Sequence, residues 1–282
     1  MLPQGRDGRR FRRTSTALAH YCEIEMSQTR LVLAALVAGV AWGQAPAYSA
    51  AGIVNASDYT PGPFAPNSVL SIFGTNLSWS THALTWDDIA GNTMPTEMAS
   101  VQVYVDDWPA PLLYVSGTQI NFIVPGNEIG GSVTVRVVRE SVTGPEVTLT
   151  LVGAAPALFV VGTTGYIIAE HADGSVITAG SPAHAGDIVV VYLTGLGQTQ
   201  PNPSPGAIPQ TAALMVLLDS LTVSLDGVAL DSSRIEYAGV TPLSVGLYQI
   251  NVQLPAALGT DPEIQVAVGK QSSLAGLKIN VQ

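Results

Sequence analysis

Two tandem β-sandwiches behind a short export leader are what this 282-residue sequence predicts, and three observations lead there. Hydrophobic residues make up 47% of the chain and charged ones only 11%, yet the apolar residues come in strand-length runs broken by 28 Gly and 19 Pro. Helical domains carry Lys, Glu and Ala in long periodic stretches instead, and no amphipathic pattern of helical length follows residue 43. The third observation is internal repetition, with three segments recurring in the same order in the two halves.

The leader comes first. Residues 31–42, "LVLAALVAGVAW", follow Arg30 and precede the small-residue stretch "GQAPAYSA". Spanning a bilayer takes roughly 20 apolar residues, so this 12-residue run reads as the core of a signal peptide. Cleavage is expected at Ala45-Pro46-Ala47 or at Ser49-Ala50-Ala51, and Met26 makes a better start than Met1. A leader and signal peptide over 1–50, a first sandwich over 51–153 and a second over 154–282 is the expected division.

Strands are expected in the first half at 68–75, 100–107, 110–116, 119–125, 132–139 and 146–152. In the second half they are expected at "YIIAEH", "SVITAG", "DIVVVYLTG", "LTVSLDG", "SRIEYAG", "GLYQINVQLP", "EIQVAVG" and "LAGLKINVQ", with turns at Asp173-Gly174 and Asp226-Gly227. Superposing the halves aligns "SVLSIFGTNL" (68–77) with "DIVVVYLTGL" (187–196), "VQVYVDDWPA" (101–110) with "LTVSLDGVAL" (221–230), and "QINFIVP" (119–125) with "QINVQLP" (249–255). The offset grows from 119 to 130, which places an insertion near 239–246 in the second copy. Gln-Ile-Asn is thus expected to be one core strand built twice.

Charge narrows the partners. Six of the 11 Lys and Arg lie at or before Arg30, leaving five against 18 acidic residues, a net charge of −13 after cleavage. Such a chain repels polyphosphate and anionic lipid, so neither nucleic acid nor a membrane span is expected of the exported protein. The one cysteine, Cys22, falls in the leader, which leaves no disulfide or thiol chemistry.

Catalytic signals are sparse. His82, His171 and His184 show no zinc-binding spacing, and no Gly-x-Ser-x-Gly elbow occurs. Gly195-x-Gly197 precedes neither Lys-Ser/Thr nor a helix, so it reads as a strand end entering a loop. The pairs Asp87-Asp88 and Asp106-Asp107 lack the rest of a calcium loop and are expected to cap turns. Neither a metal nor a cofactor is expected.

The aromatic residues say more. Trp79, Trp86 and Trp108 all lie in the first copy, the first two in the long connection 78–100. Its counterpart, 197–220, is Pro-rich and has no tryptophan. A scaffold kept while one loop varies is the pattern of a varied site. Packing under the loop or against the second domain is the favoured expectation for these tryptophans, and a sugar-gripping surface is the alternative.

Several segments carry a resemblance. "GIVNASDYTPGPFAPNSVLSIFGTNLS" (52–78), "VYVDDWPAPLLYVSGTQINFIVP" (103–125), "AAPALF" (154–159) and "GLYQINVQLP" (246–255) resemble the Solibacter-type C-terminal domain of secreted acidobacterial proteins. The "PG" turn followed by a strand and "GTNL" is more remotely similar to immunoglobulin-like IPT/TIG domains. The resemblance implies an all-β chain of two tandem immunoglobulin-like β-sandwich domains outside the cell, and transfers no catalytic residue.

The expected function is a secreted, non-enzymatic binding or structural module of the envelope or extracellular space, whose partner is a polysaccharide or another envelope protein. An alternative is carbohydrate binding through Trp79, Trp86, Asp87, Asp88 and Trp108. A third reading is a hydrolase with an unrecognised site.

Overall fold

The computed structural model describes residues 44–128 and 130–282. Met26, Cys22, His20, Trp42 and the apolar run at 31–42 lie outside the described residues, and with them the core of the expected signal peptide; the last residues of the expected leader, 47–50, belong to the first strand, Ala47–Asn55.

Ten strands build the first half: β1 (Ala47–Asn55), β2 (Val69–Thr75), β3 (His82–Ala83), β4 (Val101–Val105), β5 (Trp108–Pro109), β6 (Leu112–Val115), β7 (Gln119–Ile123), β8 (Gly131–Arg139), β9 (Val142–Thr143) and β10 (Val147–Leu151). Eleven build the second: β11 (Ala157–Leu158), β12 (Ala169–His171), β13 (Ile188–Thr194), β14 (Thr199–Gln200), β15 (Ala213–Met215), β16 (Leu221–Leu225), β17 (Val228–Ala229), β18 (Ile235–Val240), β19 (Tyr248–Gln253), β20 (Ile264–Val268) and β21 (Gln271–Ser272). The helices among the described residues are single 3-10 turns.

Each half folds as two antiparallel sheets face to face. The first half pairs its strands as β1-β2-β7-β6-β3 and β10-β8-β4-β5; the second pairs them as β11-β13-β19-β18-β15-β14 and β17-β16-β20-β21. Alternation fixes which face is buried. Val101, Val103 and Val105 of β4 face Ile120 and Phe122 of β7 in one core, and Val223 and Leu225 of β16 face Ile250 and Val252 of β19 in the other. Each such side chain contributes about 1.5–3 kcal/mol by leaving water. The first of these cores ends at Leu151 and the second begins at Ala154.

The repetition extends to pairing detail. The ladder β2-β7-β6-β3 is repeated as β13-β19-β18-β15, and β8-β4-β5 as β20-β16-β17. Both copies carry a bulge at the same place, between Leu112 and Tyr114 opposite β7 and between Ile235 and Tyr237 opposite β19. The turns after β4 and β16 also match. Asp106 and Asp226 both adopt left-handed backbone, at φ 49° and 48°. Asp106 Oδ1 accepts from the Thr134 amide at 2.7 Å, and Asp226 Oδ1 from the Glu263 amide at 2.9 Å. Asp106 is therefore a turn-forming residue, as its spacing suggested.

Two expected strands do not form. "SVITAG" and the terminal "LKINVQ" make isolated bridges only, such as Glu170 to Val176, Tyr166 to Lys278 and Ala183 to Val281. Their partners offer one or two residues at a time, too few for a continuous ladder. The C-terminal segment accordingly packs on its own half, where Ile279 and Val281 are buried.

The halves are joined by more than a linker. The Val69 amide at the start of β2 donates to Thr194 Oγ1 at 2.9 Å, and that hydroxyl donates to the Gly246 carbonyl at 3.0 Å. Gln198 and Asn202 amides donate to the Gly126 carbonyl at 3.0 and 3.1 Å. Around these bonds Val69, Met94, Ile123 and Ile208 form an apolar cluster with Leu84, Ile89, Leu113 and Val245. The segment 239–246, read from sequence as an insertion, thus supplies part of this junction.

Candidate functional site

The loop 78–100 divides into a packed part and a displayed part. Its packed part meets the loop that replaces it in the second copy. Met94 N donates to Gly206 O at 2.9 Å, Ile208 N to Asn92 O at 3.0 Å, and Asn92 Nδ2 to Ile208 O at 3.0 Å. The two divergent loops are therefore each other's partner across the junction. Divergence between the copies reports this contact first.

The displayed part corrects the favoured expectation for the tryptophans. Trp86 is 71% exposed, and Trp79 and Trp108 are each 51% exposed. Leu84, Ile89 and Met94 supply the loop's apolar contact with the junction in their place.

Trp86 opens a 3-10 turn, Trp86–Asp88, held by its cap. Asp88 Oδ2 accepts from the Thr85 amide and hydroxyl, both at 2.7 Å, and His82 Nε2 lies 3.0 Å from both Asp88 oxygens. These contacts hold the Asp88 carboxyl at about 2, below its ordinary 3.8, the His82 hydrogen bond being the largest cause and the Thr85 bonds next. A depressed carboxyl stabilises the fold fully above its ordinary range and loses that contribution as pH falls towards its folded value. Trp86 fluorescence is thus expected to change between about pH 4 and pH 2 as the cap opens, and Asp88→Asn is expected to abolish that step. Asp87 sits beside Trp86 on the same turn.

Trp79 is fixed differently. Arg139, itself buried, places its guanidinium carbon 3.8 Å from the Trp79 ring centroid, and Trp79 Nε1 donates to Glu140 Oε2 at 2.9 Å. One face of this indole is already occupied. Arg139 was missed in the sequence, although the alternation of Val133, Val135 and Val137 carries it onto the inward phase of β8.

The candidate residues do not converge. Trp79 lies beside Glu140, at the end where β4 begins and β8 finishes. Trp108 pairs with Val105 at the opposite end of β4, and Trp86 follows Leu84, whose amide bonds Leu113 near the junction. Strand register therefore separates Trp79 from the other two. Asp107 follows the Asp106 turn and belongs to the Trp108 end.

The histidines are used locally. His184 Nδ1 lies 3.6 Å from Asp187, three residues on. His171 Nε2 lies 3.1 Å from the Ser181 carbonyl and 3.4 Å from its hydroxyl, at an exposed position. No group of three or more metal-ligating side chains comes together among the described residues. No helix among them is long and apolar enough to cross a membrane. A groove of about 400 Å³ runs between β1 and β10, walled by Ile53, Pro63, Phe64 and Thr150, and none of its lining side chains is ionisable.

Gly195 and Gly197 also find their reason in the fold. A Cβ at either would run into the backbone carbonyl of Ala155 or Gly153, where the connection between halves crosses the end of β13. They allow close approach of two backbones, and no phosphate loop is involved.

A comparison with curated protein sequences finds no match. Among solved structures, the chain is similar to the surface glycan-binding protein PbSGBP-B of Prevotella bryantii, at 14% identity and a TM-score of 0.25, over 83% of this chain and 41% of that one. It is similar to the Bacteroides ovatus SGBP-B, solved with a mixed-linkage heptasaccharide, at 8% identity and 0.29, over 77% and 44%. Domains 5–6 of the S-layer protein SbsC align at 10% and 0.27, over 84% and 98%. The chain spans less than half the length of the two glycan-binding proteins, and likenesses at these scores carry no argument about function. Residues 55–151, from the end of β1 to the end of β10, match the family model of the IPT/TIG domain.

Proposed function

We propose that this chain is a non-enzymatic binding or structural module of the envelope or extracellular space, built of two immunoglobulin-like sandwiches over 51–153 and 154–282. The use made of its polar side chains carries this reading. The acids and histidines that chemistry would need are engaged as turn and cap partners: Asp88 with Thr85 and His82, Asp106 with Thr134, Asp226 with Glu263, and Asp231 with Ser233. Large aromatic surfaces meanwhile stand in solvent on a well-tied scaffold. A protein arranged so presents surface and keeps its titratable groups for holding shape. Export rests on the apolar run at 31–42 and the resemblance to secreted modules, and an envelope polysaccharide or protein is the proposed partner.

A second reading has its own observation. Trp86 is displayed on a capped turn beside Asp87, an arrangement suited to stacking on a sugar ring while a carboxylate accepts from its hydroxyls. Trp79 and Trp108 would add contacts to longer ligands along the same domain, with Asp88 holding the turn that displays Trp86. Pull-down of cell-wall and polysaccharide fractions by the exported protein tests both readings. Retention of a polysaccharide that drops at least about tenfold in Trp86→Ala, with a smaller loss in Trp79→Ala, supports the second. Retention of an envelope protein alone leaves the first, and turnover of any captured material would overthrow both.

A further inference from the structure

One sheet edge is closed in the second copy and open in the first. In both copies the aspartate of the matching turn engages the backbone of the neighbouring strand. Asp106 N donates to Thr134 O and Thr134 N to Asp106 Oδ1, both at 2.7 Å; Asp226 and Glu263 repeat the pair at 2.9 Å. Thr134 stands opposite Thr148 of β10, and Glu263 opposite Lys278 of the C-terminal segment. The backbone groups of Thr134 and Glu263 are turned away from those neighbours, so each facing pair is of the non-hydrogen-bonded kind. The N–H and C=O of Thr148, and those of Lys278, therefore point out from the sheet edge.

The second copy satisfies both groups with its own chain. Lys278 N donates to Gly165 O and Ile167 N to Lys278 O, each at 2.9 Å, from a segment running parallel to it. Further along the same edge, Ala183 N donates to Asn280 O at 3.0 Å and Gln282 N to Ala183 O at 2.9 Å. The first copy repeats only this last contact, with Phe64 N donating to Thr150 O at 3.0 Å and Val152 N to Phe64 O at 2.8 Å. Thr148 is exposed, and its outward groups meet no partner among the described residues. Strand register gives the reason. Tyr48 and Leu158 pair with the equivalent Gly74 and Leu193, and Ile53 and Ala169 with the equivalent Ile72 and Val191. Residues 49–52 thus stand where the second copy has 159–168, and are too few for the excursion that carries Gly165 and Ile167 to the edge.

We propose that the β10 edge at Thr148 receives an extended segment of another envelope polypeptide, which adds to the sheet as a short parallel strand. This rests on the binding-module reading and specifies how a protein partner is held. The second copy is the template: a carbonyl one residue before, and an amide one residue after, the residue beside Thr148 would grip it as Gly165 and Ile167 grip Lys278. β10 itself invites addition, since it contains no Pro or Lys and pairs with β8 without a bulge, the usual protections of an edge. Pairing with β10 of a second copy, antiparallel and centred on Thr148, would run into Phe64, which already occupies the edge at Thr150. The exposed residues of the groove beside this edge, Ala50, Pro61, Gly62 and Thr150, are small or apolar and uncharged. With the chain's net charge of −10, a neutral or basic segment is accepted and an acidic one repelled.

The probe is a fluorescein-labelled peptide with the sequence of residues 163–169, Thr-Thr-Gly-Tyr-Ile-Ile-Ala, behind two lysines, titrated with the full chain and followed by anisotropy. Saturable binding is expected. Thr148→Pro removes the outward N–H without touching the ladder to β8, and is expected to weaken binding about fivefold or more. N-methylation of the first Ile of the peptide, the donor to Thr148, is expected to do the same, while N-methylation of its Tyr leaves binding as it was. Thermal melts confirm that Thr148→Pro folds. An envelope protein captured by the wild type is expected to be released by excess peptide and to be lost with Thr148→Pro. No peptide binding, or binding indifferent to both changes, would overturn the proposal. So would dimerisation of the chain that Thr148→Pro abolishes, since the occupant would then be a second copy. Capture that persists under excess peptide and in Thr148→Pro would overturn it as well, and leave the binding-module reading standing.

Discussion

Gly195→Ala is expected to destabilise the protein by more than about 3 kcal/mol. Gly195 follows β13 in left-handed backbone, at φ 81°, and its carbonyl accepts from the Ala155 amide at 2.8 Å. A methyl there meets the carbonyl oxygen of Ala155, the residue whose amide makes that hydrogen bond, so neither side can yield cheaply. Gly174 separates the two contributions. It has nearly the same φ, 82°, but nothing within 4 Å of its would-be Cβ. Gly174→Ala is therefore expected to cost only the left-handed backbone penalty of about 1–2 kcal/mol. Urea denaturation of both variants measures the difference. Equal losses would mean that the connection between the halves moves aside freely, contrary to its close packing.

That connection also shows how far the sequence could be read. Strands 101–105, 221–225 and 264–268 are legible because Val, Ile and Leu alternate with polar or small residues over a full strand, and one period selects both the structure and its buried face. The duplication is legible for the same reason. "SVITAG" and "LKINVQ" have similar alternation, but a strand also needs a partner of matching length, which local pattern does not specify. The loops 78–100 and 197–220 were seen to differ, while their mutual contact was invisible. Asn92 and Ile208 are 116 positions apart, and their meeting depends on how one half stacks on the other. Of the candidate site, the tryptophans were visible as residues, but their exposure depends on which loop side chains fill the junction first.

Arg139 supplies the second large expected effect, and it ties the stability of the first half to the display of Trp79. Its guanidinium is buried and donates to the Asn76 and Gln44 carbonyls, the latter at 2.6 Å, while the Trp79 indole lies across it. It thus holds the segment leading into β1 against the end of β2. No carboxylate lies within salt-bridging distance of it among the described residues, so carbonyl dipoles and the indole face must balance its charge. Arg139→Ala removes two charge-assisted hydrogen bonds, strands two carbonyls and opens a void, and a loss of about 3 kcal/mol or more is expected. Replacing a buried charge by an apolar side chain of similar length is far milder, because the desolvation cost goes with the charge. Arg139→Met is accordingly expected to recover at least half of that loss by filling the space. It cannot restore the cation–π contact, so Trp79 should become more accessible to acrylamide in both variants. Stability and quenching therefore separate: Ala changes both, Met mainly the second. If Met left Trp79 as protected as in the wild type, simple packing would be what holds the indole, and the charge of Arg139 would serve only to bind the two carbonyls.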